Sequence, residues 1–241
     1  MPDRREFLVA AGGALGAAAL PGHAAAPLPA DRGRLTVLFQ GDSITDNGRD
    51  RKAADPNTTG QLGGGYPYLI AAAALAAEPT RGLRFFNRGV SGNKVPDLTR
   101  RWDDDTLAIK PDVLSILIGV NDLWHKLNGA YNGTVADYER GFGDLLAATR
   151  QALPRVRLIV LEPFVLPTGV VESKWFPEFD ERRAAAARVA LAAGATFIRT
   201  QLLFDRLIRK TPPAYWAADG VHPTPAGHAA IAKAWQDAVR L

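Results

Sequence analysis

Residues 112–118, Asp-Val-Leu-Ser-Ile-Leu-Ile, form a nearly unbroken apolar run just before Gly119. A strand that is apolar on both faces must be covered on both faces, as in a parallel sheet with helices packed above and below. Four other short runs have strand character: 35–39, 83–87, 156–161 and 195–198. Helical apolar spacing fills the intervals at 66–77, 95–109, 135–153 and 179–193, and again at 226–241. This alternation predicts an α/β fold, a three-layer α/β/α sandwich around a central, mainly parallel five-stranded sheet. No repeat or low-complexity linker follows residue 34, so residues 31–241 read as a single domain.

Composition excludes several function classes. The chain has no cysteine, which removes disulfides, thiolate metal sites and a cysteine nucleophile. The formal net charge is +4, but the basic residues are scattered, with no dense run or aromatic-basic interleave to track a nucleic acid. The few histidines show no metal-binding spacing such as H-E-x-x-H, and no metal or other cofactor is expected.

The amino terminus reads as an export signal. Arg4, Arg5, Phe7 and Leu8 precede an apolar run from Val9 to Leu20, followed by Ala24, Ala25 and Ala26. That order matches a charged segment, a short apolar segment and a small-residue cleavage site. The paired arginines resemble a twin-arginine signal. The expectation is a cleaved leader over residues 1–30, a periplasmic or extracellular protein and no stable membrane insertion afterwards. A homo-oligomer is compatible with this reading.

Candidate chemistry gathers where strands end. Gly41-Asp42-Ser43 follows the first strand run, at the edge where open α/β sheets place their ligands. Asp42 and Ser43 also have the simpler reading of a loop start or helix cap. Of the four serines, Ser115 lies inside the apolar strand and Ser173 in a long loop, while Ser43 and Ser91 each follow a strand in a glycine-containing turn. A serine hydroxyl needs an adjacent base. His222 is the best placed, because Asp219 three residues earlier can reach its Nδ1 and leave Nε2 free to take a proton. The competing reading of Asp219-x-x-His222 is a polar turn ahead of a helix begun by Pro223, Thr224 and Pro225. His228 reads as a packed helix residue. Oxyanion donors are available from the glycine-bearing turn 87–92 and from Asn121, together with the Ser43 N–H.

Taken together, Gly41-Asp42-Ser43-Ile44-Thr45, Gly89 after Asn87, Gly119-x-Asn121-Asp122 and Asp219-x-x-His222-Pro223 resemble the four blocks of the SGNH (GDSL) hydrolase family in order and approximate spacing. The resemblance implies Ser43 as nucleophile, Asp219 and His222 as its partners, and an oxyanion hole made by Ser43, Gly89 and Asn121. Asp46-Asn47-Gly48-Arg49, 62–66, 91–98, Arg101-Trp102 and Gly227-His228 are similar to the acetylxylan esterase branch. That branch implies removal of O-acetyl groups from a carbohydrate, xylan or its oligomers. In that branch an aromatic residue directly precedes the triad aspartate; here the place is held by Ala218, with Trp216 two residues earlier. The expected substrate contacts are Asp42, Trp124, His125 and Trp216. A lipase or thioesterase of the same family is the first alternative, and a non-catalytic carbohydrate-binding protein the second.

Overall fold

The computed structural model describes residues 34–241, so the expected leader lies outside the described residues. Five strands, β1 (Leu35–Gly41), β2 (Leu83–Asn87), β3 (Val113–Leu117), β4 (Arg157–Leu161) and β5 (Thr196–Ile198), form one sheet in the order β2-β1-β3-β4-β5. All four pairings are parallel, with Val37 opposite Phe85 and Val113, and Ser115 opposite Ile159. The chain starts near one side, steps out to β2, then returns past β1 to lay down β3, β4 and β5. The direction of winding therefore reverses between β1 and β3. A crevice opens at such a switch point beyond the carboxyl ends of the strands.

Alternation along the strands separates two cores. Val37, Phe39, Phe85, Val113, Leu117, Ile159 and Leu161 point to one face. There they meet Tyr66 and Ile70 of α3 (Tyr66–Ala77) and Ile231, Trp235 and Val239 of α10 (Pro225–Val239). Leu38, Phe86, Leu114, Ile116, Leu158 and Val160 point the other way. They are covered by Leu98 of α4 (Val95–Arg100), Phe142 and Leu146 of α6 (Val135–Ala152) and Ala186 and Val189 of α7 (Glu178–Ala192). This is the expected three-layer sandwich. Ser115 belongs to the scaffold: it is fully buried, and its Oγ accepts the Trp235 indole N–H at 3.0 Å.

The outer edge of β2 is closed by the loop between the first two short helices, α1 (Ser43–Asp46) and α2 (Thr59–Leu62), and by α2 itself. Asn57 accepts the Phe85 N–H and donates to the Leu83 and Phe85 carbonyls, and Gln61 exchanges two hydrogen bonds with the Asn87 backbone. Side-chain amides thus stand in for a neighbouring strand and remove an exposed edge.

Three elements differ from the sequence expectation. The helix expected over 95–109 stops at Arg100 and continues as a π-helical turn, Asp103–Leu107. The interval between the third strand run and residue 135, to which the sequence assigns no helix, contains α5 (Val120–Leu127). A helix α8 (Thr200–Leu207) follows β5. Both α5 and α8 are only eight residues long, too short for apolar periodicity to announce them. The short α9 (Pro213–Trp216) leads into the Asp219 turn. Among the described residues no helix is long and apolar enough to cross a membrane.

Candidate active site

The carboxyl end of β1 is shaped by Gly41. A Cβ there would lie 2.3 Å from the Leu117 carbonyl oxygen and 2.5 Å from Thr45 Oγ1, so only glycine lets the strand pass this close to β3 before turning. Asp42 caps the turn: its Oδ1 accepts the Ile44 N–H at 3.0 Å and its carbonyl accepts the Asp46 N–H at 2.8 Å. Ser43 is thereby the first residue of α1, half-buried at the mouth of the β1/β3 crevice.

The other end of the chain meets it there. Ser43 Oγ lies 2.8 Å from His222 Nε2, and His222 Nδ1 lies 2.6 Å from Asp219 Oδ2. The second Asp219 oxygen accepts the backbone N–H groups of Val221 and His222 at 2.9 and 2.7 Å, so one carboxylate both folds the turn and orients the ring. The turn is anchored to the loop after β4. Leu166 N–H donates to the Gly220 carbonyl, and Val170 N–H to the Asp219 carbonyl. Gly220 is at φ +86°, and a Cβ there would sit 2.3 Å from the Thr168 carbonyl oxygen. Burial pushes the Asp219 carboxyl up, but the hydrogen bonds from the His222 ring and from two backbone N–H groups outweigh it and hold the carboxyl below its usual range. An ionised Asp219 keeps the proton of neutral His222 on Nδ1, so the Nε2 lone pair faces the serine hydroxyl.

Asn121 is placed at the start of α5, and its Nδ2 donates to the Asn93 carbonyl at 3.2 Å. An amide nitrogen has two hydrogens, which leaves one for a second acceptor.

Gly89 does not fit the donor role expected of it. Its N–H donates to Asn87 Oδ1 at 2.9 Å, its carbonyl accepts Arg49 Nε at 2.7 Å, and a Cβ on it would lie 2.4 Å from the Asp46 nitrogen. It is a packing glycine with its N–H already bonded. Gly92, at φ +81°, is differently placed. Among the described residues its N–H has no acceptor, and the same holds for the Ser43 N–H. Its neighbours tie it to both sides of the site. Ser91 donates from N–H and Oγ to Asp46 of α1, while the Asn93 carbonyl receives the Asn121 amide. The sequence marks the glycine-bearing turn 87–92 as a whole, and the backbone geometry selects which of its two glycines is free.

The expected substrate contacts divide. Asp42 is 1% exposed, behind Ser43, so it cannot reach a ligand; burial pushes its carboxyl up to about 7. Trp124 packs its ring 5.9 Å from that of His222 and is half-buried at the rim. His125 is beside Gly92, its Cε1 3.8 Å from where a Cβ would stand. Burial and nearby Lys94 lower the His125 pKa against an opposing pull from Asp97. Trp216 is half-buried next to exposed Tyr215, and its carbonyl accepts the Thr224 N–H two residues past His222. Trp102, Trp175 and Trp235 are core residues. His228 is buried; its Nδ1 accepts the Tyr66 N–H at 3.2 Å, and burial with His222 nearby lowers its pKa to about 4.

Residues 39–230 match the GDSL-like Lipase/Acylhydrolase family. An acetylxylan esterase of Geobacillus stearothermophilus is 34% identical over 204 residues, covering 83% of this chain and 91% of that protein. A Parabacteroides merdae protein described as GDSL-like lipase superposes with a TM-score of 0.85 at 43% identity, over 87% of this chain and 97% of that one. The G. stearothermophilus acetylxylan esterase Axe2 superposes with a TM-score of 0.77 at 31% identity, over 86% and 94% of the two chains. Catalytic mutants of Axe2 replace a serine and a histidine by alanine, and those two residues are 179 positions apart, the separation of Ser43 and His222 here. The chain belongs to the GDSL-like lipase/acylhydrolase family and is a carboxylic ester hydrolase.

Proposed function

We propose that the protein is an exported serine esterase that removes O-acetyl groups from acetylated xylan or xylo-oligosaccharides through an acyl-enzyme. The observation that carries the reading is the relay from Ser43 Oγ through His222 to Asp219, at 2.8 and 2.6 Å. Ser43 Oγ attacks the ester carbonyl while His222 Nε2 takes its proton. The developing oxyanion receives hydrogen bonds from the N–H groups of Ser43 and Gly92 and from Asn121 Nδ2. His222 passes the proton to the departing sugar hydroxyl, then draws one from water as that water attacks the acetyl-serine. Acetate leaves and Ser43 regains its proton.

The choice of acetylated xylan follows the relatives named acetylxylan esterases. In Axe2 a tryptophan lies four residues before the catalytic histidine; the equivalent place here is the exposed Ala218. Trp124, His125 and Trp216 are the proposed sugar-facing side chains. Export rests on the leader at residues 1–30 and is tested by locating the protein in cell fractions.

Acetate release from acetylated xylan by wild type and Ser43→Ala tests the function. The expected result is release by wild type that the variant loses; equal rates would end the reading. An aryl-ester series separates the alternative, because a preference for long acyl chains over acetyl would move the assignment to lipase-type or thioesterase-type substrates.

A further inference from the structure

The proposed hole is assembled from three separate pieces of chain: the turn after β1, the 88–93 loop after β2, and the start of α5. Nothing covalent fixes their spacing. One side chain bonds to two of the pieces directly and to the third through a neighbour. Arg101, at the carboxyl cap of α4, donates from Nε to Asn93 Oδ1 at 2.8 Å. Its Nη1 donates to the Arg88 carbonyl at 2.8 Å and to Gln40 Oε1 at 2.9 Å, and its Nη2 to the Gly41 carbonyl at 3.3 Å. The Gly41 carbonyl also takes the Val90 N–H at 3.0 Å, so the same oxygen pins the loop to β1. Asn93, held by its side chain, offers its backbone carbonyl to Asn121 Nδ2.

The guanidinium is itself held. Asp105 Oδ2 accepts from Nη1 at 2.9 Å and supplies the counter-charge. Gln40 is aimed by donating to the Asp105 carbonyl and to Thr106 Oγ1. Asp105 and Thr106 both lie in the π-helical turn, which is thereby explained: the widened turn brings a carboxylate and a hydroxyl to the back of the site.

We propose that Arg101 is a positioning residue of the oxyanion hole, setting the distances among the Ser43 turn, the Gly92 turn and the Asn121 amide without touching substrate. The inference rests on the serine-esterase reading of the site. It depends on the guanidinium in particular. A planar fork of five N–H donors reaches acceptors on both sides of it, whereas an ammonium on a flexible stem satisfies one locus at a time. The consequence falls on the transition state. Ground-state binding of an acetyl ester uses little of the hole, while the tetrahedral oxyanion uses all of it. A displacement of about 1 Å in such an array costs on the order of 10²-fold in rate.

The test uses the full chain, 4-nitrophenyl acetate, and the variants Arg101→Lys, Arg101→Ala and Asn93→Ala. The expected result is a fall in kcat on the order of 10²-fold for both Arg101 variants with little change in KM. Millimolar guanidinium should restore part of the kcat of Arg101→Ala and none of that of Ser43→Ala. Asn93→Ala keeps its backbone carbonyl and loses only the Nε contact; it should lower kcat too, and its effect should not multiply with that of Arg101→Lys. Wild-type kcat in Arg101→Lys, or independent multiplication of the two effects, overturns the proposal. If the Arg101 variants fail to fold, Asn93→Ala decides alone: unchanged kcat overturns the proposal, reduced kcat at unchanged Tm supports it. Wild-type hydrolysis that survives Ser43→Ala would instead remove the serine-esterase reading beneath it, so the two failures are told apart.

Discussion

Asn87 Oδ1 accepts the backbone N–H of Gly89 at 2.9 Å, and the same side chain donates through Nδ2 to the Thr45 and Leu62 carbonyls. Asn87 is fully buried, and Gln61 pairs with its backbone. This amide knots the ends of α1, α2 and β2 together directly behind Ser43. It also makes the two glycines of the second block unequal.

Gly89→Ala should therefore be a folding mutation. Its Cβ would stand 2.4 Å from the Asp46 nitrogen and 2.9 Å from Asp46 Cα, both backbone atoms with no room to move. Overpacking of this kind costs about 1–3 kcal/mol. Gly92→Ala has only His125 Cε1 at 3.8 Å to meet and pays chiefly for its positive φ, roughly 1–2 kcal/mol. Thermal melts and steady-state kinetics on both variants check this. Gly89→Ala should lose Tm, whereas Gly92→Ala should stay folded and lose kcat as its backbone leaves the left-handed region.

Asp219→Asn separates the two jobs of that side chain. An asparagine oxygen can keep the backbone N–H groups of Val221 and His222, so the turn should survive. Its amide nitrogen then faces His222 Nδ1 as a donor and forces the proton onto Nε2, the wrong tautomer for taking the Ser43 proton. Turnover should fall by up to roughly 10⁴-fold with Tm close to wild type. Acetate release measured beside a melting curve shows whether the loss is chemical or structural.

The sheet was legible because its central strands are apolar on both faces, as 113–118 shows, and a chain with four serines and four histidines leaves few ways to pair a nucleophile with a base. The π-helical turn and α5 were not legible. Each is short: α5 does set Val120, Leu123, Trp124 and Leu127 at helical spacing, but eight residues hold too few repeats of that spacing to tell a helix from a loop. The choice between Gly89 and Gly92 was hidden for another reason. Both are glycines in one tight turn, and only the Asn87 side chain determines whose N–H is taken. Arg101 was read only as part of a motif, since its partners Gln40 and Gly41 are 61 and 60 positions away.

Ser115→Ala should leave chemistry alone and weaken the fold. The hydroxyl is on β3, inside the sheet, as the acceptor for the Trp235 indole N–H. Removing it strands a buried donor at a cost of about 1–3 kcal/mol. Trp235→Phe together with Ser115→Ala removes donor and acceptor at once and should lose less than the two single changes combined. Denaturant titration of the three variants measures this, and kcat should match wild type wherever the protein is folded.

Asp42 should work against stability as pH rises toward neutrality. Burial, against the Ile44 N–H and with Asp122 adding to it, lifts the Asp42 carboxyl from 3.8 to about 7. Burial likewise lifts Asp122 to about 7, against the Val95 N–H and the charges of Arg182 and Lys94. Below pH 3.8 folded and unfolded chains both hold these protons. Between there and about 7 the unfolded chain releases them and the folded chain does not, so each group removes stability across that window and the slope ends above it. His228, whose pKa burial lowers from 6.5 to about 4, acts oppositely over an overlapping range, because acid protonates the unfolded imidazole first. Subtracting one variant from wild type isolates the carboxyl. Asp42→Asn keeps an oxygen for the Ile44 N–H and has nothing to ionise. Its Tm should therefore decline less than that of wild type, or rise more, between about pH 5 and about pH 7.5, a range that spans the upper part of the linkage window and its end. Melts across that range decide it, and identical pH slopes in the two proteins would mean that Asp42 ionises in the folded chain as it does in the unfolded one.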